Sequence, residues 1–352
     1  MKKTLNKTKI IDFATYIGVV IAFIVMNALM NEGLLTRSMK GQLVPICCYI
    51  VMAISLNLTV GILGELSLGH AGFMSVGAFS GIVMSMWLSK GMGMDNSVVV
   101  LLLAILTGGV AAGIAGVLIG IPVLRLRGDY LAIVTLAFGE IIRNIIDCLY
   151  ISLDSAGLHF SMFSGSELPG QAIIAGPQGA SVPARLSTFT LGFGLVLVSL
   201  VLIMNLVHSR EGRAIRAIRD NNIAAESVGL NITAFKMKAF VISAILAGMA
   251  GVLFAMNYSA IEAKKFNFNT SISVLVMVVL GGMGSLRGSV IAAVILTVLP
   301  EALRGLEDYR MLIYAVVLIA VMVLNNNARF QQFKLSFRKK LRDLFRKKEA
   351  KA

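Results

Sequence analysis

The sequence predicts an all-α integral membrane protein, a polytopic bundle of about ten transmembrane helices. Of its 352 residues, 57% are hydrophobic and only 14% are charged, whereas an average soluble domain carries about 25% charged residues. Apolar stretches recur at the length of about 20 residues that a helix needs to cross a hydrocarbon core roughly 30 Å thick. The hydrophobic excess therefore indicates exposure to lipid rather than one large soluble core.

Ten apolar segments give the predicted spans, near residues 13–31, 41–62, 67–89, 97–122, 130–152, 187–208, 235–257, 271–283, 286–304 and 309–325. The first resembles a signal peptide, but no small-x-small cleavage site follows it, which favours an uncleaved helix. The eighth and ninth form one apolar block that is interrupted by glycines between Gly281 and Gly288. This block predicts either two crossings or a re-entrant pair.

The positive charges predict the topology of the spans. Lysines before the first span place the N-terminus in the cytoplasm, and alternation puts the arginine-rich loop 209–234 inside and the segment 153–186 outside. The sequence thus predicts a transmembrane domain over 1–328 and a basic cytoplasmic tail over 329–352, so that both ends are cytoplasmic. The segment 153–186 is expected to be an ordered loop with one short helix. The net charge of +14 is explained by topology and anionic lipid, not by nucleic acid.

Small residues and cysteines within the spans have a structural interpretation. Small-xxx-small patterns, which permit close helix approach in lipid, occur in the fourth and seventh segments, for example Gly116-xxx-Gly120 and Ala244-xxx-Gly248. Cys47, Cys48 and Cys148 all lie in apolar segments and show neither a disulfide framework nor zinc-ligand spacing. We therefore expect no metal site.

The cytoplasmic stretch between Glu211 and Gly229 is the most informative part of the sequence. Arginines recur at every third position with Ile215 and Ile218 between them, which predicts a basic amphipathic helix. Asn222 is expected to cap a second, short helix, and Gly229 suits a left-handed helix stop. An interfacial helix with topology charges explains the pattern as well as a docking unit does.

Polar residues inside the predicted spans mark a possible pathway. Glu140, Arg143, Asn144 and Asp147 share one helix face, and ionisable groups in a span either pair internally or mark a transport pathway. Within a membrane, non-helical backbone occurs only where it lines a cavity or is buried in protein. The glycine-rich positions that interrupt the spans are therefore further candidates. The remaining pathway candidates are Ser67, Gly69, His70, Gly281, Gly282 and Gly284.

Several motifs resemble a known family of transporters. Ala224-Ala225-Glu226-x-x-Gly229 is similar to the cytoplasmic loop by which permeases of ATP-binding-cassette (ABC) importers dock onto their ATPase. Four longer stretches resemble the LivM-type permeases of branched-chain amino acid importers: Gly64–Phe73, Leu124–Leu136, Phe138–Arg143 and Val278–Leu286. The motifs follow the family order, and the resemblance covers residues from roughly 45 to 325.

The resemblance implies a type II ABC importer-like permease in a bacterial or archaeal cell membrane. Its expected partners are a second, related permease, two cytoplasmic ATPases that carry ATP-Mg, and an extracytoplasmic binding protein. This chain would be no enzyme and would bind no cofactor, since the sequence has no phosphate loop. The resemblance assigns ATPase coupling to Arg216, Arg219, Ala224, Ala225, Glu226 and Gly229.

The implied transport mechanism is alternating access, in which closure of the ATPases pushes on residues 222–230. The loops 31–40, 90–96, 153–186 and 258–270 would face the binding protein. The implied substrates are leucine, isoleucine and valine, although related permeases carry urea, amides or other amino acids. A self-sufficient secondary transporter that uses Glu140, Arg143 and Asp147 as a relay is the alternative from another class.

Overall fold

The apolar segments of the sequence form helices in the computed structural model. It describes residues 2–32, 36–94, 96–126, 128–154, 157–162, 169–182 and 186–303, and isolated positions between 309 and 323. Two compact units are present, Met1–Thr297 and Val298–Ala352. The predicted tenth span, apart from isolated positions, and the basic tail 329–352 lie outside the described residues.

The first nine predicted spans each coincide with a helix. In chain order the helices are α1 (Lys2–Asn31), α2 (Arg37–Asn57), α3 (His70–Met86), α4 (Ser97–Val123), α5 (Asp129–Asp147), α6 (Phe189–His208), α7 (Arg210–Asp220), α8 (Asn222–Ser227), α9 (Ile232–Ala255), α10 (Phe268–Gly281) and α11 (Leu286–Ala302). Two π-helical turns extend α2 and α3, at Leu58–Leu63 and Trp87–Gly91. The loop helices α7 and α8 lie between the sixth and seventh predicted spans.

Several of these helices suit a membrane. Within the described part of the chain, five are long and apolar enough to cross a bilayer: Ser38–Leu63, His70–Gly91, Ser97–Val123, Phe189–His208 and Ile232–Ala255. Two shorter apolar helices, Thr15–Met30 and Phe268–Gly281, accompany them. The chain is thus a multi-pass membrane protein, and the full count of ten spans stays a prediction.

Small residues bring α3, α4 and α9 into close contact. A Cβ atom added at Gly77 would lie 2.2 Å from the carbonyl oxygen of Gly248, and one at Gly116 would lie 2.8 Å from the Cβ of Ala244. A side chain at either position would therefore force the backbones apart. These contacts confirm the packing role predicted for the small residues of the fourth and seventh segments.

A small sheet corrects the all-α prediction. Five antiparallel strands lie in the order β2-β1-β3-β4-β5: β1 (Tyr150–Asp154), β2 (Gly157–Ser161), β3 (Gln171–Ala175), β4 (Ala180–Ser181) and β5 (Ala260–Ile261). The described part of segment 153–186 therefore consists of strands and one 3-10 turn, Gly176–Gln178. The predicted fifth span also ran too far, because the apolar start of β1 continues the hydrophobicity of α5.

Loop contacts separate the two ends of the helical bundle. At one end β5 pairs with β4, Lys90 hydrogen-bonds Gln171, and Asn257 donates to the carbonyl of Gly41 near the start of α2. At the other end the π-turn that closes α2 meets α7. Described residues of the predicted outside loops 90–96, 153–186 and 258–270 thus contact one another, at the end of the bundle opposite to α7.

Candidate functional site

The amphipathic helix predicted between the sixth and seventh spans is α7. Ser209 caps it, since its hydroxyl accepts a hydrogen bond from the N–H of Gly212 at 3.2 Å. Ile215 and Ile218 are buried, whereas the arginine-bearing side of the helix is half-buried or exposed. Burial of the isoleucines fixes α7 against the bundle and confirms the predicted periodicity.

The short helix α8 begins and ends at residues with special geometry. Its N-cap is Asn221 rather than the predicted Asn222: the Asn221 Oδ1 accepts from the N–H of Ala224 at 3.0 Å. Either asparagine suits a cap by residue type, and the extended backbone of Asn221 decides between them. Gly229 has a φ of 83°, the left-handed conformation predicted for the stop of this helix.

The outer face of α8 and its C-terminal turn expose apolar side chains. Ile223 is 79% exposed and Val228 is 77% exposed, and Ala224 and Glu226 are exposed beside them. Ala225, which lies between Ala224 and Glu226, is instead buried and faces the chain's own helices. Two large apolar side chains are thus open to solvent on this short unit. We call Ile223, Ala224, Glu226 and Val228 the α8 surface.

A cleft of about 640 Å³ lies beside the α8 surface. Its lining includes Arg125, Glu226, Gly229 and Lys236, so groups of both charge signs border it. Lys236 is buried and hydrogen-bonds the carboxylate of Glu65. The cleft therefore opens between α8, the start of α9 and the loop that precedes α5.

The two arginines assigned to coupling bind backbone carbonyls of their own chain. Arg216 donates through Nη2 to the carbonyl of Val207 at 2.6 Å, in the last turn of α6, where a cation also complements the helix dipole. Arg219 donates through Nη1 to the carbonyl of Gly61 at 2.9 Å and pairs with Asp220 at 3.1 Å. They fasten α7 to the membrane helices.

The pathway candidates Ser67 and Gly69 lie in a short non-helical segment, and His70 follows it at the start of α3. Residues 64–69 are not helical and connect the π-turn to α3. A Cβ at Gly69 would lie 2.2 Å from the carbonyl oxygen of Thr135, so this segment packs tightly on α5. The Oγ of Ser67 is buried and has no hydrogen-bond partner within the described part of the chain.

His70 is buried in a polar seam between α2 and α3. Its Nε2 lies 2.8 Å from the Oγ of Ser55, and Ser55 Oγ also donates to the carbonyl of Met52 at 2.9 Å. The Ser55 hydroxyl therefore links the His70 ring to the backbone of α2. Among the described residues, no three His, Cys, Asp or Glu side chains cluster as a metal site requires.

The glycines of the predicted eighth and ninth spans form the turn of a helical hairpin. Gly282 and Gly284 have φ values of 91° and 80°, and a Cβ at Gly281 would lie 2.4 Å from the carbonyl carbon of Gly288. The block is therefore two helices, α10 and α11, joined by a tight turn. This turn lies against Gly61, whereas Gly69 and His70 contact other elements, so the candidates do not form one pocket.

The charged face of α5 is paired internally. Arg143 binds Glu140 at 2.7 Å and Asp147 at 3.2 Å, and its Nη2 donates to Asn144 at 3.1 Å. The second oxygen of Glu140 accepts the N–H of Phe268 at 3.1 Å, at the start of α10. Glu140 and Arg143 thus form an internal ion pair, one of the two alternatives for this face, and their role in a transport pathway stays a prediction.

Asn57 is a buried polar residue that the sequence interpretation missed. Its Oδ1 accepts from the N–H of Gly284 at 2.8 Å, and its Nδ2 donates to the Oγ of Ser289 at 2.9 Å. Both side chains are fully buried. The available signal was a lone asparagine inside an apolar span, which is costly in lipid unless it is hydrogen-bonded.

Comparison with known proteins identifies the family. Residues 38–322 match the family model described as branched-chain amino acid transport system / permease component. The chain belongs to this family. It is 36% identical over 294 residues to the high-affinity branched-chain amino acid transport system permease protein LivM of Salmonella typhimurium, and 35% identical over 296 residues to LivM of Escherichia coli K12. Both matches cover 78% of this chain and 66% of the relative.

More distant relatives of this permease carry other names. The L-arabinose ABC transporter permease protein AraH of Azospirillum brasilense is 29% identical over 279 residues, which cover 78% of this chain and 73% of AraH. LivH of Salmonella typhimurium is 25% identical over 286 residues, which cover 78% of this chain and 89% of LivH. No solved structure matches the chain.

Proposed function

We propose that this permease is the membrane subunit of an ATP-driven importer of branched-chain amino acids, and that an ATPase subunit docks on its α8 surface. The observation that carries the proposal is the exposure of Ile223 and Val228 on a helix that Asn221 and Gly229 delimit. The surface follows α7 directly in the chain, and hydrogen bonds hold α7 to α6 and to the π-turn of α2. A force on α8 can therefore reach the membrane helices.

The energy for transport comes from partner chains in this account. The sequence lacks a phosphate loop, so ATP-Mg is assigned to two cytoplasmic ATPase subunits. A second permease completes the pore, and the similarity of this chain to LivH as well as LivM supports a pair of related permeases. The coupling element consists of Ala224, Ala225, Glu226 and Gly229. Arg216 and Arg219 hold it to the membrane helices through their hydrogen bonds.

The separation of the two ends of the bundle supports a proposed topology. We assign ten spans over 1–328 in a type II importer arrangement, with the loop 209–234 and the tail 329–352 in the cytoplasm. The end of the bundle that carries the β-sheet, which we call the sheet end, includes the described residues of segment 153–186. In this topology it faces outward, and an extracytoplasmic binding protein docks there. The membrane is the inner membrane of a bacterial or archaeal cell.

The substrate assignment rests on the LivM relatives, whose printed names specify branched-chain amino acids. Alternating access would open the buried region around Ser67, Gly69 and His70 and shift the Gly281–Gly284 turn. The arabinose permease among the relatives makes a sugar, an amide or another amino acid the alternative within the same mechanism. Uptake assays with labelled leucine, arabinose and urea, each with its own binding protein, distinguish these substrates.

A pull-down of the tagged chain in mild detergent tests the proposal. We expect two ATPase subunits and a second permease to be recovered, and Ile223→Asp to abolish ATPase recovery, because a charge would have to be buried in the interface. Phe160→Asp, at an exposed apolar residue of the sheet end, is the matched control and should retain the ATPase. A wild-type chain that purifies alone would contradict the proposal.

A further inference from the structure

The last turn of α2 has unusual geometry. It widens into a π-helix over Leu58–Leu63, and all six residues of this turn are buried. The turn ends at Gly64, which has a φ of 83° and begins the non-helical segment 64–69. Single π-turns within helices are rare and often lie at functional sites. Elements from distant parts of the sequence meet at this turn: α7, the α10–α11 hairpin and α9, whose Ser243 hydroxyl lies 3.4 Å from that of Thr59.

On one side the turn is held by α7. Arg219 donates to the carbonyl of Gly61 at 2.9 Å, a carbonyl that lies in the widened turn. The same side chain covers Gly64: a Cβ there would lie 2.5 Å from the Cγ of Arg219. The position of the Arg219 side chain therefore depends on the hydrogen bond from its guanidinium group to Gly61 and on the absence of a side chain at Gly64.

On the other side the turn is held by the α10–α11 hairpin. A Cβ at Gly61 would lie 2.2 Å from the backbone nitrogen of Gly284, so the two backbones are in direct contact. Asn57 then bridges the hairpin, because its side-chain amide binds the N–H of Gly284 and the hydroxyl of Ser289. These bonds connect α2 to both the turn of the hairpin and the first turns of α11.

We propose that the Leu58–Leu63 turn is the joint through which movement of α7 reaches the α10–α11 hairpin, with Arg219 and Asn57 as its positioning residues. Arg219 transmits the position of α7 to Gly61, and Asn57 transmits the position of α2 to Gly284 and Ser289. The inference rests on the proposed function, since it assigns a route to the force that an ATPase would apply at α8. Neither residue needs to contact the substrate or the ATPase.

The test measures the number of substrate molecules transported per ATP hydrolysed, in the complete complex reconstituted in liposomes. Arg219→Gln and Asn57→Ala should each retain ATP hydrolysis and lower this ratio about tenfold, the effect expected from loss of one buried or charge-assisted hydrogen bond. Arg219→Lys keeps a cationic donor for the Gly61 carbonyl and should restore much of the ratio. Arg210→Gln, an exposed arginine at the start of the same helix, is the control and should leave it unchanged.

A double variant tests whether the two residues act in series. Substitutions on one route do not have additive effects. The double variant Arg219→Gln with Asn57→Ala should therefore transport no fewer substrate molecules per ATP than the more impaired of the two single variants. Should Asn57→Ala fail to assemble, Ser289→Ala takes its place, because it removes the acceptor of the Asn57 amide together with a local 3.3 Å bond to the carbonyl of Ser285.

Unchanged ratios in these variants, or a fall equal to that of Arg210→Gln, would overturn the inference and leave the proposed function intact. A wild-type complex without ATP-driven transport would overturn both.

Discussion

The ammonium group of Lys236, in the second turn of α9, donates a hydrogen bond to the carboxylate of Glu65 in the segment that follows the π-turn. Lys236 is only 6% exposed, and the Glu65 side chain is 15% exposed, so this ion pair is largely shielded from solvent. It fixes the start of the non-helical segment 64–69 against α9, close to the cleft beside α8. Arg219 and Lys236 thus hold the same short stretch of chain from two helices.

Removal of one member of this pair should destabilise the protein. Lys236→Met leaves the part-buried Glu65 carboxylate without its partner, which costs about 1–3 kcal/mol. Adding Glu65→Gln should recover most of that loss. Lys238→Met is the matched control, because Lys238 pairs with Glu211 at an exposed site and such pairs contribute about 1 kcal/mol or less. Thermal unfolding in detergent measures each variant, and equal losses for Lys236→Met and Lys238→Met would contradict the account.

A methyl group should not be tolerated at the crossing of α3 and α9. Gly77→Ala places a Cβ 2.2 Å from the carbonyl oxygen of Gly248, and relief of such overpacking costs about 1–3 kcal/mol. Gly194→Ala in α6 is the control, because nothing lies within 4 Å of its added Cβ. Thermal unfolding should show a lower midpoint for Gly77→Ala alone. A midpoint equal to that of Gly194→Ala would show that the helices are not in contact there.

The charged face of α5 distinguishes the importer from a proton-coupled carrier. Glu140→Gln retains an oxygen that can accept from the N–H of Phe268 and loses only a part-exposed ion pair worth up to about 1 kcal/mol. We therefore expect ATP-driven uptake to change by less than about fivefold. Complete loss of uptake, with normal ATP hydrolysis, would favour the relay of Glu140, Arg143 and Asp147 instead.

The sheet end should contribute to capture of the binding protein. Phe160 in β2 is 64% exposed, and an exposed aromatic side chain is a frequent energetic anchor of interfaces. Phe160→Asp should weaken stimulation of ATP hydrolysis by the binding protein about tenfold, which corresponds to a lost contact of 1–2 kcal/mol. Hydrolysis in the absence of the binding protein should not change. Stimulation equal to wild type would place the docking surface elsewhere.

The helices of the bundle and the α7–α8 unit were predictable because their signals are local. Span lengths follow from hydrophobicity, and the α7–α8 unit follows from Ile215, Ile218 and Gly229, each of which acts within one or two turns. The choice between Asn221 and Asn222 as the cap was not predictable, because either side chain can cap and only the backbone conformation decides.

The sheet and the joint depend on contacts that are distant in sequence. The strand β4 has two residues, too few for a periodic pattern that would predict it. Its partner strand Ala260–Ile261 is separated from it in the sequence by helices α6 to α9. The apolar start of β1 was indistinguishable from the end of a span. Likewise, nothing near Arg219 indicates that its partner is Gly61, a residue 158 positions away.

Uptake into liposomes tests the central claim most directly. Vesicles would contain this permease with its partner permease and ATPases, with binding protein and labelled leucine outside and ATP inside. The account predicts uptake that requires ATP and the binding protein and that Ile223→Asp abolishes. Uptake by this chain alone without nucleotide, lost on Glu140→Gln, would contradict it.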